Sequence, residues 1–542
     1  MKNDSNPTIS PIEIQSEIQS EIKGAFGTIR ESKSGSKRKS IRRIKVFLAI
    51  LGPGIIVMAG DNDAGAFGTY TQAGQNYGTK LLWTLPLLAP VLYISQEMVL
   101  RLGLLTKTGH ARLIVSRFGK FWGAFSVIDL FILNALTIVT EFIGIHLGLS
   151  YLGLPNLEGI ALSALFIIGA AFTGSFQRFE RICMILVLGS FILIPIYVMS
   201  HPSFGVIAHD FVVPSFPKNA QFSTVMILII GIVGTTVAPW QLFFQQSYVI
   251  DKKITIRFMR YEKADLLVGI LLVILGAAAM MAFSAASFRG HSTFGSFSDA
   301  KGVAEGLGKY SSHLAGIFFA IALIDASIIG ASAVGLSTSY AIADVMGFSH
   351  SLNHRPKEAK LFYAVFAGVI AVSAIIVAIP GSPLGLLTEG VQTLAGILLP
   401  SAVVFLLLLC NDKEVVGPWV NSRKTNVFTS IIVAFLIMLS TILTASVLFS
   451  HISKKQIIGI LLVGTLLFAG AGLIAIIKMP KSSPTEKMTL SQKMKWRMAP
   501  INELQAPVLS PTRKIWLAAM RGYLVIASLM VIVKVIELAR GR

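Results

Sequence analysis

The stretch that decides the fold is Gly60-Asp61-Asn62-Asp63-Ala64-Gly65-Ala66, because it interrupts what would otherwise be one membrane-spanning run. Upstream lies the apolar segment 46–59 with its Gly52-Pro53-Gly54; downstream the run resumes at Phe67 and continues toward Gln72. Asp61 and Asp63 therefore fall near mid-membrane depth. An acid there costs about 2.5–3.5 kcal/mol on insertion scales unless it faces a cavity or a counter-charge, so it is a functional candidate by default. Flanking glycines let the helix unwind, and non-helical backbone survives at that depth only where it lines a cavity or is buried in protein. The plain alternative is a buried polar pair partnered by a neighbouring helix.

Composition agrees with a membrane setting. The chain has 542 residues, 54% hydrophobic and only 14% charged, with a mean hydropathy of +0.72, too apolar for a water-soluble domain. Its apolar segments are continuous runs near twenty residues without strand alternation, so the expected class is all-α and polytopic. The net charge of +20 suggests no nucleic acid, because the Lys and Arg residues concentrate in alternate loops, as membrane topology requires. Cys183 and Cys410, the two cysteines, give neither a disulfide framework nor a thiolate metal site.

In order, residues 1–45 read as a largely disordered tail ending in the basic run Lys37 to Lys45, on the cytoplasmic side. Twelve spans follow, at about 46–71, 80–104, 118–149, 157–174, 179–200, 221–248, 262–287, 313–345, 359–380, 384–410, 425–449 and 456–478. Residues 46–410 form the transport core, with repeats of about 46–200 and 221–410, and 411–478 add spans eleven and twelve. Residues 479–542 hold a basic segment and a thirteenth apolar run, 515–533, read as one more span, with an interfacial helix as the alternative. The 289–312 loop is expected to be an external, gate-side loop.

A second interruption falls in span six, Gly231-Ile-Val-Gly-Thr-Thr-Val-Ala-Pro-Trp-Gln241. Pro239 removes a backbone donor and clashes with the preceding turn, freeing carbonyls around Thr235 and Thr236. If spans one to five and six to ten are repeats, spans one and six correspond. Interrupted spans at matching positions are the best sequence pointer to a transport site between inverted repeats. Carboxylates plus freed carbonyls make an oxygen-rich site, which suits Mg²⁺, Ca²⁺ or Mn²⁺.

These residues resemble the NRAMP family of divalent-metal transporters, over about Gly52 to Gly417. Gly52-Pro53-Gly54, Gln72-Ala73-Gly74, Arg101-Leu102-Gly103, Pro239 and Leu399-Pro400 match the family's pattern in order and spacing. The resemblance implies a LeuT-like fold of two inverted five-helix repeats. The family's Asp-Pro-Gly-Asn motif is here Asp63-Ala64-Gly65-Ala66, and its Met-Pro-His is Ala238-Pro239-Trp240. Its Asp-Leu-Ala-Glu on span three keeps only Glu141, with Ile138 at the aspartate, while Gln392 keeps its spacing to Pro400. Loss of the thioether removes a preference for softer ions, and Ala66 and Ala238 leave room for a reluctantly dehydrating Mg²⁺. Loss of the histidine and aspartate removes groups a proton route would use.

This combination resembles the NRAMP-related magnesium transporter branch, which implies uncoupled Mg²⁺ uptake with Mn²⁺ also carried. Asp63 is the expected ligand and Asp61 its companion, with Thr235, Thr236 and Gln392 supplying neutral oxygens. Glu141, Asp325, Glu389 and Trp240 are expected along the pathway or around the site, where the acids could equally serve as bonds between helices. The alternatives are a proton-coupled Mn²⁺ or Fe²⁺ transporter, or an organic-solute symporter of the same architecture. No enzyme and no resident cofactor are expected, and the metal is cargo. The expected setting is the inner membrane of a bacterium, as a monomer with its N-terminus inside.

Overall fold

The structure, a computed structural model, describes residues 21–30, 39–217, 220–379, 384–448, 453–477, 488–505 and 525. Its helices are α1 (Lys39–Ile50), α2 (Pro53–Ala59), α3 (Ala64–Tyr77), α4 (Thr84–Thr106), α5 (His110–Phe118), α6 (Lys120–Leu152) and α7 (Asn156–Ala171). Then come α8 (Phe176–Gly189), α9 (Leu193–Met199), α10 (Phe204–Val212), α11 (Phe222–Thr236), α12 (Pro239–Asp251), α13 (Met259–Phe288), α14 (Ala300–Tyr310) and α15 (His313–Met346). The chain continues through α16 (Lys360–Ala378), α17 (Leu384–Leu409), α18 (Lys413–Val416), α19 (Arg423–Leu448), α20 (Lys454–Ile477) and α21 (Leu490–Lys495).

Among the described residues, 8 helical stretches are long and apolar enough to cross a membrane. The first expected span is missing from that set because it is in two pieces, α2 of 7 residues and α3 of 14. The expected thirteenth span, 515–533, lies outside the described residues apart from Val525.

Local chemistry explains both breaks. Pro53 opens α2, where its missing N–H costs nothing, and Gly60 closes it. Asp63 then caps α3, its side chain accepting from Ala66 N. In span six, α11 ends at Val237, whose φ of −126° and ψ of 84° are not helical, and Pro239 restarts the helix as α12. The pieces cross, α2 packing on α12 and α3 on α11, so the two non-helical links face each other. The long helices α6 and α15 pack extensively together, while α13 lies against α2 and α3. With 33 and 34 residues, α6 and α15 are about 50 Å long and outreach a hydrocarbon core of about 30 Å.

One segment differs from expectation. Where residues 1–45 read as largely disordered, β1 (Glu21–Gly24) and β2 (Gly27–Arg30) form an antiparallel hairpin pairing Ile22 with Ile29, and α1 begins at Lys39. The physical reason is docking: Ile22 and Ala25 are buried, and hairpin backbone groups bond to Gln177, Glu180 and Arg181 of α8. Residues 1–20 and 31–38 lie outside the described residues. The 289–312 loop carries a helix of its own, α14, capped by Asp299. This loop closes over the end of α3, with Gln75 Nε2 donating to Thr293 O at 3.0 Å and Asn76 Oδ1 accepting from Phe297 N at 3.0 Å.

Candidate metal site between the broken helices

Asp61 and Asn62 sit in the link between α2 and α3, and Asp63 caps the second piece; all three are buried. Asp61 accepts a hydrogen bond from Gln241 Nε2 on α12, and its Oδ2 has no partner among the described residues. Gln241 Nε2 also approaches Thr236 O at 3.4 Å, and Gln241 Oε1 accepts from Gln96 Nε2 at 3.0 Å. A single amide thus spans from the acid of the first break to a carbonyl of the second.

Asp63 Oδ1 accepts from Ala66 N at 2.8 Å, and Glu141 Oε2 accepts from Ala64 N at 3.1 Å. Both carboxylates therefore face the N-terminus of α3, where orphan N–H groups and the helix dipole favour negative charge. The two carboxyl groups thus share the start of α3. Glu141 Oε1 has no partner among the described residues.

On the second break, the last helical donor is Val237 N, onto Val233 O at 3.0 Å, so the carbonyls of Thr235 and Thr236 stand beyond the ladder. The Thr236 hydroxyl is occupied by Tyr70 and Ile232 O, whereas Thr235 Oγ1 has no partner among the described residues. Ala238 caps α12 with its small side chain buried. The Trp240 ring lies across Gly60 beside Ala333, and its carbonyl accepts from Ser337 Oγ at 2.9 Å. Trp240 is a wall of the site, 1% exposed.

The structure thus brings Asp61, Asp63, Ala66, Glu141, Thr235, Thr236, Ala238 and Trp240 around the paired breaks. Asp325 is elsewhere: its carboxyl group lies over Gly189 of α8. Gln392 and Glu389 lie on α17, and their side chains lie outside the described residues. Gln241 and Asn62, absent from the sequence-based site, belong to the same region. Asn62 Nδ2 points at Val273 O at 3.5 Å and its Oδ1 has no partner among the described residues. Their signal in the sequence is only their position, beside each break.

Chemically the site offers carboxylate, carbonyl, amide and hydroxyl oxygen. Among the described residues no three His, Cys, Asp or Glu side chains are grouped to hold a metal ion. A cation there would draw on two acids plus neutral oxygens and water, a donor set for a hard ion that keeps part of its hydration shell. A cavity of about 720 Å³ is distinct from this site; it opens near the ends of α12 and α15 and is lined by Arg112, Asp251, Asp344 and His350 among others.

Comparison with known proteins places this geometry. The Divalent metal cation transporter MntH of Yersinia enterocolitica is 26% identical over 428 residues, covering 76% of this chain and 97% of that protein. The crystal structure of the Eremococcus coleocola manganese transporter with an aromatic bis-isothiourea compound matches with a TM-score of 0.60 at 19% identity, over 82% of this chain and 97% of that one. A point mutant of the same transporter matches with a TM-score of 0.62, over 85% and 98%. The chain therefore has the expected all-α architecture and shares the fold of that transporter, with paired broken helices. The model of the natural resistance-associated macrophage protein-like family matches residues 54–446, well over half of the chain, and the protein belongs to the Nramp family.

Proposed function

We propose that this protein transports divalent metal cations by alternating access around Asp61 and Asp63, with Mg²⁺ as principal cargo, Mn²⁺ also carried, and no coupling to protons. The observation that carries the reading is the meeting of two broken helices, where Asp61 Oδ2 has no partner among the described residues and the Gln241 amide bridges Asp61 to the Thr236 carbonyl. Support for a divalent cation comes from the Yersinia and Eremococcus relatives, whose cargoes are divalent metal cations and manganese. Support for Mg²⁺ comes from Ala238 and Ala66, which offer space and no sulfur, in keeping with a strongly hydrated ion. We place the protein in a bacterial cell membrane as a monomer, with its N-terminus inside and the ion moving inward.

Asp63→Ala tests this reading. Mg²⁺ influx into proteoliposomes is expected to fall at least ten-fold while the purified variant keeps its helical circular dichroism; wild-type influx would remove Asp63 from the site. The second reading, proton-coupled Mn²⁺ or Fe²⁺ transport, is favoured by Asp63 and Glu141 meeting at the start of α3, a pair of acids at which a proton and a cation would compete. An organic solute fits less well. The helix N-terminus that would take its carboxylate is already occupied by Asp63 and Glu141.

A further inference from the structure

Gln241, Gln245, Tyr248 and Lys252 follow one another along α12 and its C-cap at i, i+4, i+7 and i+11, which is one face of a helix. All four are buried. At one end of this face Gln241 holds Asp61. One turn on, Gln245 has neither Nε2 nor Oε1 in a hydrogen bond, and after it the Tyr248 hydroxyl also has none among the described residues. A buried amide with both halves unpaired is costly, so a state in which water or an ion reaches these atoms relieves it.

The other end of the face is shut by an ion pair. Lys252 Nζ lies 2.6 Å from Glu180 Oε1 on α8, with both side chains fully buried. The same ammonium donates to Ile50 O at 2.6 Å and Leu51 O at 3.0 Å, tying the end of α1 to α8 and α12. Glu180 also crowds Gly52, whose φ of 149° and lack of a Cβ let the chain pass. Over this pair lies the N-terminal hairpin. Ala25 N donates to Glu180 Oε2 at 2.6 Å, while Gln177 Nε2 and Arg181 Nε hold Gly24 O and Ala25 O, each at 2.9 Å.

We propose that the Gln241, Gln245 and Tyr248 face is the exit route by which the cation leaves Asp61 and Asp63 toward the face bearing the N-terminus. In this conformation the Lys252–Glu180 pair closes it and the docked hairpin latches it. This rests on the transport reading above. Neutral amide and hydroxyl oxygens suit an exit, because an ion must be held weakly enough to leave. Glu180 then meets the ion at the mouth once Ala25 and Lys252 let go.

The test uses thiol accessibility, which reads the gate independently of flux. Cys183 is one turn from Glu180 on α8, free and buried. In full-length Cys410→Ser protein, a membrane-impermeant methanethiosulfonate is applied to the N-terminal face of reconstituted vesicles. Labelling of Cys183 is expected to be slow, and to speed up at least ten-fold when Ala25→Pro removes the N–H to Glu180. Gly24→Val, whose Cβ would overlap Ala49 O, is expected to do the same by lifting the hairpin off α1. Gln245→Cys, in a background lacking both native cysteines, is expected to label from that face and to lose Mg²⁺ flux when labelled. Rates unaffected by both hairpin variants, or Gln245→Cys reacting only from the opposite face, would overturn the proposal. Hairpin-dependent labelling in a protein that carries no divalent cation would uphold the latch and overturn the transport reading.

Discussion

Asp61 and Asp63 stand two residues apart and are held in different ways. Asp63 is committed to the N-terminus of α3, whereas Asp61 keeps one oxygen unpartnered and the other on the Gln241 amide. Gln241→Leu strips Asp61 of that donor inside protein, which is expected to cost about 1–3 kcal/mol and to show as a lower thermal midpoint. The double variant Asp61→Asn, Gln241→Leu is expected to recover most of this loss, because the uncompensated charge is gone. Ala238→Met adds a thioether at the second break and is expected to shift preference toward Mn²⁺ or Cd²⁺ over Mg²⁺ by about ten-fold, or ~1.4 kcal/mol. Competition between these ions for uptake measures it. Asp63 could be read from the sequence because an acid flanked by glycines in an apolar run has few other uses. Gln241 could not, since an amide on a helix announces nothing until its partner, 180 residues away, is known.

At the scale of elements, the proline and glycine interruptions carried most of the legible information. Pro53 opens the first piece of one broken span and Pro239 the second piece of the other, and neither needs tertiary context to be read. Pro239→Ala restores a backbone donor and lowers the cost of a continuous helix, and is expected to reduce transport at least ten-fold with little loss of thermal stability. The hairpin was not legible. Its strands have four residues each and would be marginal alone; its order comes from α8, about 150 residues later. The loop after α15 offers a pH test. Burial pulls His350 down, but its hydrogen bond to Asp344, the charge of that carboxylate, the Phe348 carbonyl and Asp251 outweigh this and hold it above its usual 6.5. The His350–Asp344 tie, 3.1 Å long, is therefore complete below pH 6.5 and is lost as pH rises through the raised value. Hydrogen exchange of residues 347–359 is expected to accelerate with pH beyond the intrinsic base dependence, and His350→Ala is expected to abolish that excess.

Across the whole molecule the candidate site is closed on both sides. The 289–312 loop is bonded to the end of α3 on one face, and the hairpin with the Lys252–Glu180 pair covers the other. A buried pair like this contributes little net stability, yet removing one partner costs about 3–5 kcal/mol, so it acts as a firm closure. Alternating access then requires each cover to release in turn while Asp61 and Asp63 stay at the crossing of the broken helices. The most direct measurement is influx of Mg²⁺ and Mn²⁺ into proteoliposomes holding a magnesium-sensitive dye and a pH dye, under an imposed membrane potential. Mg²⁺ entry driven by the potential, with Mn²⁺ also carried and no acidification of the lumen, is the predicted result. Mn²⁺ entry with acidification, and no entry of Mg²⁺, would contradict it and give the acids Asp63 and Glu141 a role in proton movement.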